Sequence, residues 1–261
     1  MSASSASEDV EHDMLLENRV AIVTGAARGI GAATAQKMSR EGARVAVVDI
    51  DADPAREVVS EIQANGGEAA FFPCDVSKPA QVEQLVKEVV AAYGQLDVLV
   101  NNAGICPRIS IEDMTEDMFD RLMNINLKSV FFLSRAAAEA MKPRRWGRIV
   151  NLSSTGGRIG GVYNATVYGA TKAGILAMTK SFARHYAPYN ILVNAVAPGA
   201  VDTRMMRDTP DEVLQGVIDS APLKRLADPV EIANVITYLC SDEASWMTGA
   251  TVDVNGGTLM I

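Results

Sequence analysis

Seven short apolar runs alternate with longer amphipathic stretches along nearly the whole chain, and this alternation limits the possible fold more than any other feature. The runs lie at 19–24, 43–49, 68–74, 96–100, 147–153, 191–197 and 250–254 and are rich in β-branched residues. Such runs are typical of strands buried on both faces of a sheet, and the stretches between them have helical spacing. The pattern predicts an α/β fold, a doubly wound parallel sheet of about seven strands with helices on both faces.

Three short motifs predict where helices begin. Asp53 followed by Pro54 is typical of an N-cap and a first helical residue, and Ser77 with Pro79 predicts a second start. Thr115, placed before an acidic turn, predicts a third.

The composition favours one domain. The chain has 261 residues, 48% of them hydrophobic, and it has no Pro/Gly/Ser-rich linker, so we expect a single domain over residues 16–261. The first residues are polar and acidic and lack the basic and apolar regions of a signal peptide. Residues 1–15 are therefore predicted to be a disordered acidic tail.

Charge and residue usage exclude several classes of function. A formal net charge of −8 argues against a nucleic-acid or anionic-membrane partner, because those surfaces need basic patches. No apolar run approaches the roughly 20 residues that span a bilayer. Cys74, Cys106 and Cys240 are far apart, and the histidines are only His12 and His185. We therefore expect a cytoplasmic protein with neither a disulfide nor a metal site.

A glycine-rich turn follows the first predicted strand. Gly25, Gly29 and Gly31 would let the backbone approach a diphosphate, and Arg28 and Ile30 lie in the same turn before a predicted helix. In this position the turn is typical of a Rossmann fold that binds a dinucleotide, although glycines also serve plain turns.

Asp49, at the end of the second predicted strand, bears on the choice of dinucleotide. A carboxylate there can hydrogen-bond the adenosine ribose and repel a 2′-phosphate. Arg28 argues the other way, since a cation beside the glycine turn could meet that phosphate. The carboxylate acts where the two cofactors differ, so the sequence predicts NAD, with NADP less favoured. A solvated strand-end aspartate is the alternative, because Asp51 and Asp53 lie close by.

Tyr168 and Lys172 stand four residues apart in a stretch with helical periodicity, which places both side chains on one helix face. A free tyrosine has a pKa near 10, too high for a general base at neutral pH. A nearby ammonium group favours the phenolate. The pair is a candidate acid/base site, although such pairs also occur as plain surface contacts.

Taken in order, these features resemble the short-chain dehydrogenase/reductase family in its classical form. The resemblance runs from about Arg19 to Gly257. It rests on motifs that follow successive strands: the glycine turn, Asp75-Val76, Asn101-Asn102-Ala103-Gly104, Ser154, Tyr168 with Lys172, and Pro198-Gly199 with Thr203.

The resemblance implies a catalytic role for several matching residues. Tyr168 would exchange a proton with the substrate oxygen, and Ser154 would hydrogen-bond that oxygen. Lys172 would lower the pKa of Tyr168 and hold the nicotinamide ribose. Ser153 is the neighbouring alternative to Ser154.

The resemblance also implies a proton relay and a cofactor site. Asn126 would support a water-linked relay behind the lysine, and Asn124 is the alternative if the register is shifted by two. The cofactor-binding candidates are Gly25, Arg28, Gly29, Ile30, Gly31, Asp49, Asp75, Val76, Asn102, Ala103, Gly104, Tyr168, Lys172, Pro198, Gly199, Val201 and Thr203.

Substrate contacts are expected from the segments after the fourth, fifth and sixth strands. These segments hold small, polar and basic residues with few aromatics, which favours a small polar or anionic substrate such as a sugar, polyol or hydroxy acid. An arginine there could hold an anionic group, the alternative being a solvated surface position. The substrate candidates are Arg108, Ser154, Arg158, Asn164, Tyr168, Met205 and Arg207.

The sequence therefore predicts an NAD-dependent oxidoreductase that transfers hydride between a secondary alcohol and the nicotinamide. An NADPH-dependent 3-oxoacyl-thioester reductase is the enzymatic alternative. A non-catalytic dinucleotide-sensing regulator is an alternative of another class, which the presence of both Tyr168 and Lys172 disfavours. The resemblance also implies a homotetramer in which the apolar C-terminal end packs across subunits.

Overall fold

The seven predicted strands form one parallel sheet in the computed structural model, which describes residues 14–261. The sheet order is β3-β2-β1-β4-β5-β6-β7, and every neighbouring pair is parallel. The predicted α/β class and strand number are confirmed. The strands are β1 (Val20–Thr24), β2 (Arg44–Asp49), β3 (Ala69–Pro73), β4 (Val98–Asn101), β5 (Gly147–Leu152), β6 (Ile191–Pro198) and β7 (Thr251–Val254).

Ten α-helices connect or flank the strands within the described residues. A five-residue π-helix, Asn124–Lys128, joins α4 to α5 without a break. The helices are α1 (Gly29–Arg40), α2 (Ala52–Ala64), α3 (Pro79–Tyr93), α4 (Glu116–Met123), α5 (Ser129–Met141), α6 (Gly156–Ile159), α7 (Thr166–Tyr186), α8 (Arg204–Arg207), α9 (Asp211–Ser220) and α10 (Pro229–Leu239).

The sheet has a separate hydrophobic layer on each face. One layer packs α1, α2 and α10 against the sheet, and the other packs α3, α5 and α7. Within β1, Ala21 and Val23 belong to the first layer, and Val20 and Ile22 belong to the second. Because alternate residues of a strand face opposite sides, a strand covered on both faces must be apolar throughout, which is why the runs in the sequence are continuous.

Two of the three predicted helix starts are confirmed, and one is wrong. Helix α3 begins at Pro79, and the Thr115 hydroxyl accepts a hydrogen bond from the backbone N–H of Met118 at 3.3 Å at the start of α4. Helix α2 begins at Ala52 instead of after Asp53, so Pro54 lies inside the first turn. A proline is tolerated there because the N–H groups of a first turn have no partner within the helix.

Leu15 and Leu16 are already part of the packed structure. The backbone N–H of Leu15 donates to the Glu41 carboxylate at 3.2 Å, and Leu16 is fully buried. Residues 1–13 of the predicted tail lie outside the described residues. None of the helices formed by residues 14–261 has both the length and the apolar character needed to span a bilayer.

The strand order reverses between β1 and β4, which are neighbours in the sheet although two strands separate them in the chain. At such a point the connections leave the carboxyl ends of the two strands in opposite directions and open a crevice. The glycine turn follows β1 and residues 102–104 follow β4, so both lie at this crevice.

Candidate active site

The glycine turn is held tightly against the segment after β4. Gly25 and Gly29 have φ values of +63° and +55°, a region that other residues avoid. A methyl group on Gly31 would lie 2.1 Å from the Gly25 carbonyl oxygen. The Asn102 side chain donates to the carbonyl of Gly25 at 3.0 Å, and a methyl group on Gly25 would lie 2.8 Å from the Ala103 Cα atom. The spacing of the glycines is therefore set by close packing between the two loops.

The N-terminus of α1 suits a diphosphate group. Arg28 is the N-cap residue but makes no capping hydrogen bond with its side chain, and the first turn holds no acidic residue. By contrast, the N-termini of α4 and α10 are capped by Thr115 and Asp228. The positive end of the α1 dipole therefore meets no carboxylate within its own first turn, which fits an anionic ligand.

Asp49 is fixed by the backbone around it. Its carboxylate accepts hydrogen bonds from the N–H groups of Ala27 at 2.9 Å, Ile50 at 2.8 Å and Asp51 at 3.0 Å. It thus ties the end of β2 to the glycine turn. Beside it, the Arg28 guanidinium forms an ion pair with the carboxylate of Asp51.

The predicted adenine contacts follow β3. The Asp75 carboxylate accepts from the Ser77 N–H at 3.0 Å and from the Ser77 hydroxyl at 2.6 Å, and Val76 is buried. The Asp75 side chain therefore shapes the turn before α3, and its contact with adenine stays a prediction.

Tyr168 and Lys172 lie on one face of α7, as predicted. The Lys172 ammonium group is buried, donates to the carbonyl of Leu152 at 2.6 Å and lies 5.5 Å from the centre of the Tyr168 ring. A methyl group on Gly104 would lie 3.6 Å from the Lys172 Nζ atom and 3.3 Å from the Asn126 side-chain oxygen, so a larger residue there would crowd the site. The end of β5 and the segment after β4 thus lie on either side of the lysine.

Burial controls the protonation of this pair. It raises the pKa of the Tyr168 phenol well above its usual range, and a hydrogen bond with Ser154 and the charge of Arg108 only partly oppose it. Burial also lowers the pKa of Lys172 to about 8. Desolvation therefore outweighs the effect of neighbouring charges on the phenol, and the expected lowering of its pKa by Lys172 stays a prediction.

The two neighbouring serines have different environments. The Ser153 hydroxyl is buried and donates to the carbonyl of Lys172 at 2.9 Å. The Ser154 side chain is half-buried, and its hydroxyl accepts from the Gly156 N–H at 3.1 Å. It lies close to the Tyr168 ring, since a methyl group on Gly156 would lie 3.6 Å from the Ser154 Oγ atom and 3.9 Å from the Tyr168 Cε1 atom. Of the two, Ser154 is the one beside the phenol.

Asn126 lies in the π-helix and is fully buried. Its side chain accepts from the Ile105 N–H at 2.9 Å, donates to the Ile105 carbonyl at 2.8 Å and donates to the Thr171 hydroxyl at 3.4 Å. The side chain of Asn124 instead accepts from Lys128 at the surface, at 3.2 Å. Asn126 is therefore the asparagine that faces the site, and single-turn π-helices are frequent at such positions.

The segment after β6 forms the opposite wall. Pro198 ends the strand, and a methyl group on Gly199 would lie 2.9 Å from the Cα atom of Asn255. Val201 is buried, and the methyl group of Thr203 would lie 3.1 Å from a Cβ atom on Gly29. The glycine turn and the segment after β6 are thus in close contact.

Comparisons with known proteins place this arrangement in a family. The family described as enoyl-(acyl carrier protein) reductase matches residues 25–258. An uncharacterized oxidoreductase of Thermotoga maritima is 42% identical over 254 residues, which cover 95% of this chain and 100% of that protein. A 3-oxoacyl-(acyl-carrier-protein) reductase of the same organism is 40% identical, with 95% and 100% covered.

Solved structures agree with these matches. A dehydrogenase/reductase from Sinorhizobium meliloti 1021 has a TM-score of 0.90 and 33% identity, and it covers 95% of this chain and 98% of that chain. The crystal structure of gox2181 has a TM-score of 0.91 and 35% identity, with 94% and 97% covered. The chain belongs to the short-chain dehydrogenase/reductase family. It is an oxidoreductase, as the sequence predicted.

In this member of the family, two of the three candidate substrate arginines are already paired. Arg158 makes a two-point ion pair with Asp253 of β7, at 2.8 and 3.3 Å, and Arg207 makes one with Asp202, at 2.7 and 2.9 Å. In each pair the carboxylate takes two of the five N–H donors of the guanidinium and offsets its charge. Arg108 is therefore the strongest of the three candidates for holding an anion, and substrate contacts of Arg158 and Arg207 stay predictions.

Arg108 lies near the reacting groups. It donates to the carbonyl of Tyr163 at 3.3 Å, forms no ion pair with a carboxylate of residues 14–261, and its charge acts on the Tyr168 phenol. Asn164 and Met205 are exposed on the segments that precede α7 and form α8. Their contact with substrate stays a prediction.

Two residues near the site carry no decisive signal in the sequence. Cys106 is half-buried close to Tyr168 and Lys172, and burial raises the pKa of its thiol. Asp51 is one of three nearby aspartates, and only the fold shows that it pairs with Arg28. A lone cysteine or aspartate in a loop gives no pattern from which such a position could be recognised.

Proposed function

We propose that this chain interconverts a ketone and a secondary alcohol, with Tyr168 exchanging the proton and a nicotinamide dinucleotide exchanging the hydride. The observation that carries the proposal is the group of Tyr168, Ser154 and Lys172 beside an uncapped helix N-terminus at the carboxyl edge of the sheet. When bound, the nicotinamide ring supplies or accepts the hydride.

The protonation of the site favours Tyr168 as the proton donor in reduction. Because burial raises its pKa, the phenol holds its proton at neutral pH and can give it to the oxygen of a ketone. The Ser154 hydroxyl lies beside the phenol and can stabilise charge that develops on the same oxygen. Lys172, with its pKa lowered to about 8, is mostly charged at neutral pH and favours the phenolate that remains.

We favour NAD as the cofactor. The Asp49 carboxylate stands at the end of β2, where the adenosine ribose is expected, and three backbone N–H groups hold it there. A fixed negative charge at that place accepts hydrogen bonds from two ribose hydroxyls and repels a 2′-phosphate.

A 3-oxoacyl thioester is the first substrate class that we propose. A relative named as a 3-oxoacyl-(acyl-carrier-protein) reductase is 40% identical over its full length. The segments after β5 and β6 also expose large apolar side chains, which suit an acyl chain better than a sugar. These side chains are Ile159, Val162, Tyr163 and Met205.

A small anionic hydroxy compound, such as a hydroxy acid, is the second candidate. Arg108 supports this candidate, because the charge of its guanidinium lowers the pKa of the Tyr168 phenol and therefore lies near it. The guanidinium also forms no ion pair with a carboxylate among residues 14–261. A charge-assisted pair with a carboxylate would orient such a substrate.

We also propose a homotetramer. Trp246 is fully exposed next to β7, and Met260 and Ile261 are 76% and 82% exposed at the C-terminal end. Apolar side chains exposed in this way are typical of surfaces that pack against another subunit. Light scattering should give four times the chain mass, and a monomer peak would contradict the proposal.

The activity is tested by following the absorbance of the reduced nicotinamide. Acetoacetyl-N-acetylcysteamine is offered with NADH or NADPH, and a panel of hydroxy acids, polyols and sugars is offered with NAD or NADP. Turnover of the thioester with NADH supports the first substrate class, and turnover of hydroxy acids alone moves the second class to first place. Activity with NADPH alone would contradict the preference for NAD. Cofactor binding without turnover of any compound would favour a dinucleotide sensor.

A further inference from the structure

The ion pair between Arg28 and Asp51 lies at the mouth of the expected adenosine site. Arg28 is the residue before α1, and Asp51 is the residue before α2, so the pair joins the starts of two neighbouring helices. Both side chains are about half exposed, at 47% and 51%. The pair is therefore open to solvent and to a ligand at the same edge of the sheet.

Arg28 is the cation of this edge that could meet a 2′-phosphate. Arg28 directly precedes the helix whose N-terminus suits the diphosphate. The residue before Arg28, Ala27, donates its backbone N–H to the Asp49 carboxylate at 2.9 Å. A guanidinium placed there and free to move would bind a phosphate on the ribose strongly. In this structure it binds the Asp51 carboxylate instead.

Asp49 and Asp51 are linked by a hydrogen bond. The N–H of Asp51 donates to the Asp49 carboxylate at 3.0 Å, while the Asp51 side chain makes no capping bond to α2. The side chain of Asp51 therefore has one visible partner among the described residues, the Arg28 guanidinium, whereas the Asp49 side chain holds the turn together.

We propose that Asp51 is a specificity-determining residue for the cofactor, because it holds the Arg28 guanidinium away from the place where a 2′-phosphate would lie. The inference rests on the proposed nicotinamide function and deepens it. NAD, which has a free 2′-hydroxyl, needs nothing from Arg28. NADP must first displace Asp51 from the guanidinium and then stand near two carboxylates.

The size of the effect follows from the exposure of the pair. An exposed ion pair changes an equilibrium by up to about fivefold. Removal of the Asp51 charge also removes one repulsion of the phosphate. We expect Asp51→Asn to tighten the binding of adenosine 2′,5′-bisphosphate by about five- to tenfold and to leave the binding of adenosine 5′-monophosphate within about twofold.

The experiment is a calorimetric titration of the full chain with these two nucleotides at low ionic strength, which needs no turnover. The variants are Asp51→Asn, Arg28→Ala and the double variant. Asp53→Asn is the matched control, since Asp53 lies in the same helix turn and its carboxylate faces Arg56 at 3.5 Å. Circular dichroism checks that each variant is folded.

The expected result is a gain for the bisphosphate in Asp51→Asn that mostly disappears when Arg28 is also replaced, the small remainder being the lost repulsion between Asp51 and the phosphate. Three outcomes would overturn the assignment: no gain, an equal gain in the Asp53 control, or a gain that is just as large without Arg28. In each of them the monophosphate still binds, so the proposed function stands. Binding of neither nucleotide to any variant would instead overturn the nicotinamide function and the assignment with it.

Discussion

Replacement of Asn126 by alanine should destabilise the protein far more than the same change at Asn124, although both residues lie in the π-helix. Asn126 is fully buried and bonds both the N–H and the carbonyl of Ile105, at 2.9 and 2.8 Å. The side chain of Asn124 makes one surface contact, from Lys128 at 3.2 Å.

The magnitude follows from the groups that lose their partners. A buried polar group left without a hydrogen bond costs about 1–3 kcal/mol. The variant leaves two such groups, the N–H and the carbonyl of Ile105, and because Ile105 is only partly buried we expect a loss of about 2–4 kcal/mol in the free energy of unfolding. For a chain of this size, each kcal/mol lowers Tm by about 2–4 °C, so Asn126→Ala should lower Tm by roughly 5–15 °C. An exposed contact between residues four apart is worth about 0.5 kcal/mol, so Asn124→Ala should lower Tm by about 2 °C or less.

The assay is scanning calorimetry of the wild type and the two variants at one protein concentration. The activity of Asn126→Ala should fall as well, because both its amide and the Lys172 ammonium lie against Gly104. An equal fall in Tm for the two variants, or a larger one for Asn124→Ala, would refute the assignment of Asn126 as the asparagine of the site.

Three further predictions concern the chemistry. Ser154→Ala should lower kcat by about 100-fold or more with little change in Tm. Ser153→Ala should mainly lower Tm, because the Ser153 hydroxyl donates to the buried carbonyl of Lys172. A large loss of kcat in Ser153→Ala and a loss of Tm alone in Ser154→Ala would contradict these roles. Since the pKa of Lys172 is lowered to about 8, its charged form is lost as the pH rises through that value. The kcat/KM for reduction should fall as the pH rises through that value, and Lys172→Arg should move this fall to higher pH. An unchanged pH profile in that variant would show that Lys172 is not the group that titrates. Arg108→Ala should raise the KM of an anionic substrate by about tenfold. Arg207→Ala should raise it by less than about twofold, because the Arg207 guanidinium is already paired with Asp202. Equal increases in KM in steady-state kinetics would show that Arg108 does not hold the substrate.

The fold can be predicted almost entirely from the sequence because the strands of a covered parallel sheet have a strong local signal. Continuous apolar runs mark all seven strands to within about two residues. The start of α2 is harder to predict because Asp53 followed by Pro54 is typical of a helix start, whereas the helix begins two residues earlier, after Asp51, without a capping hydrogen bond from the Asp51 side chain.

Contacts between distant parts of the chain cannot be predicted in this way. Arg158 is a reasonable substrate candidate in the sequence, but its partner Asp253 lies near the opposite end of the chain. The raised pKa of Tyr168 cannot be predicted from the sequence either, because a sequence shows a neighbouring lysine but not the loss of water around both groups.

The central claim is that Tyr168 exchanges the proton in a nicotinamide-linked reaction, and Tyr168→Phe tests it most directly. The rate of NADH oxidation by the preferred ketone is measured for the wild type and the variant, and NADH affinity is measured by fluorescence titration. The account predicts a loss of about 100- to 10,000-fold in kcat with NADH affinity kept within about twofold. A variant that binds NADH and retains more than about a tenth of the wild-type rate would contradict it.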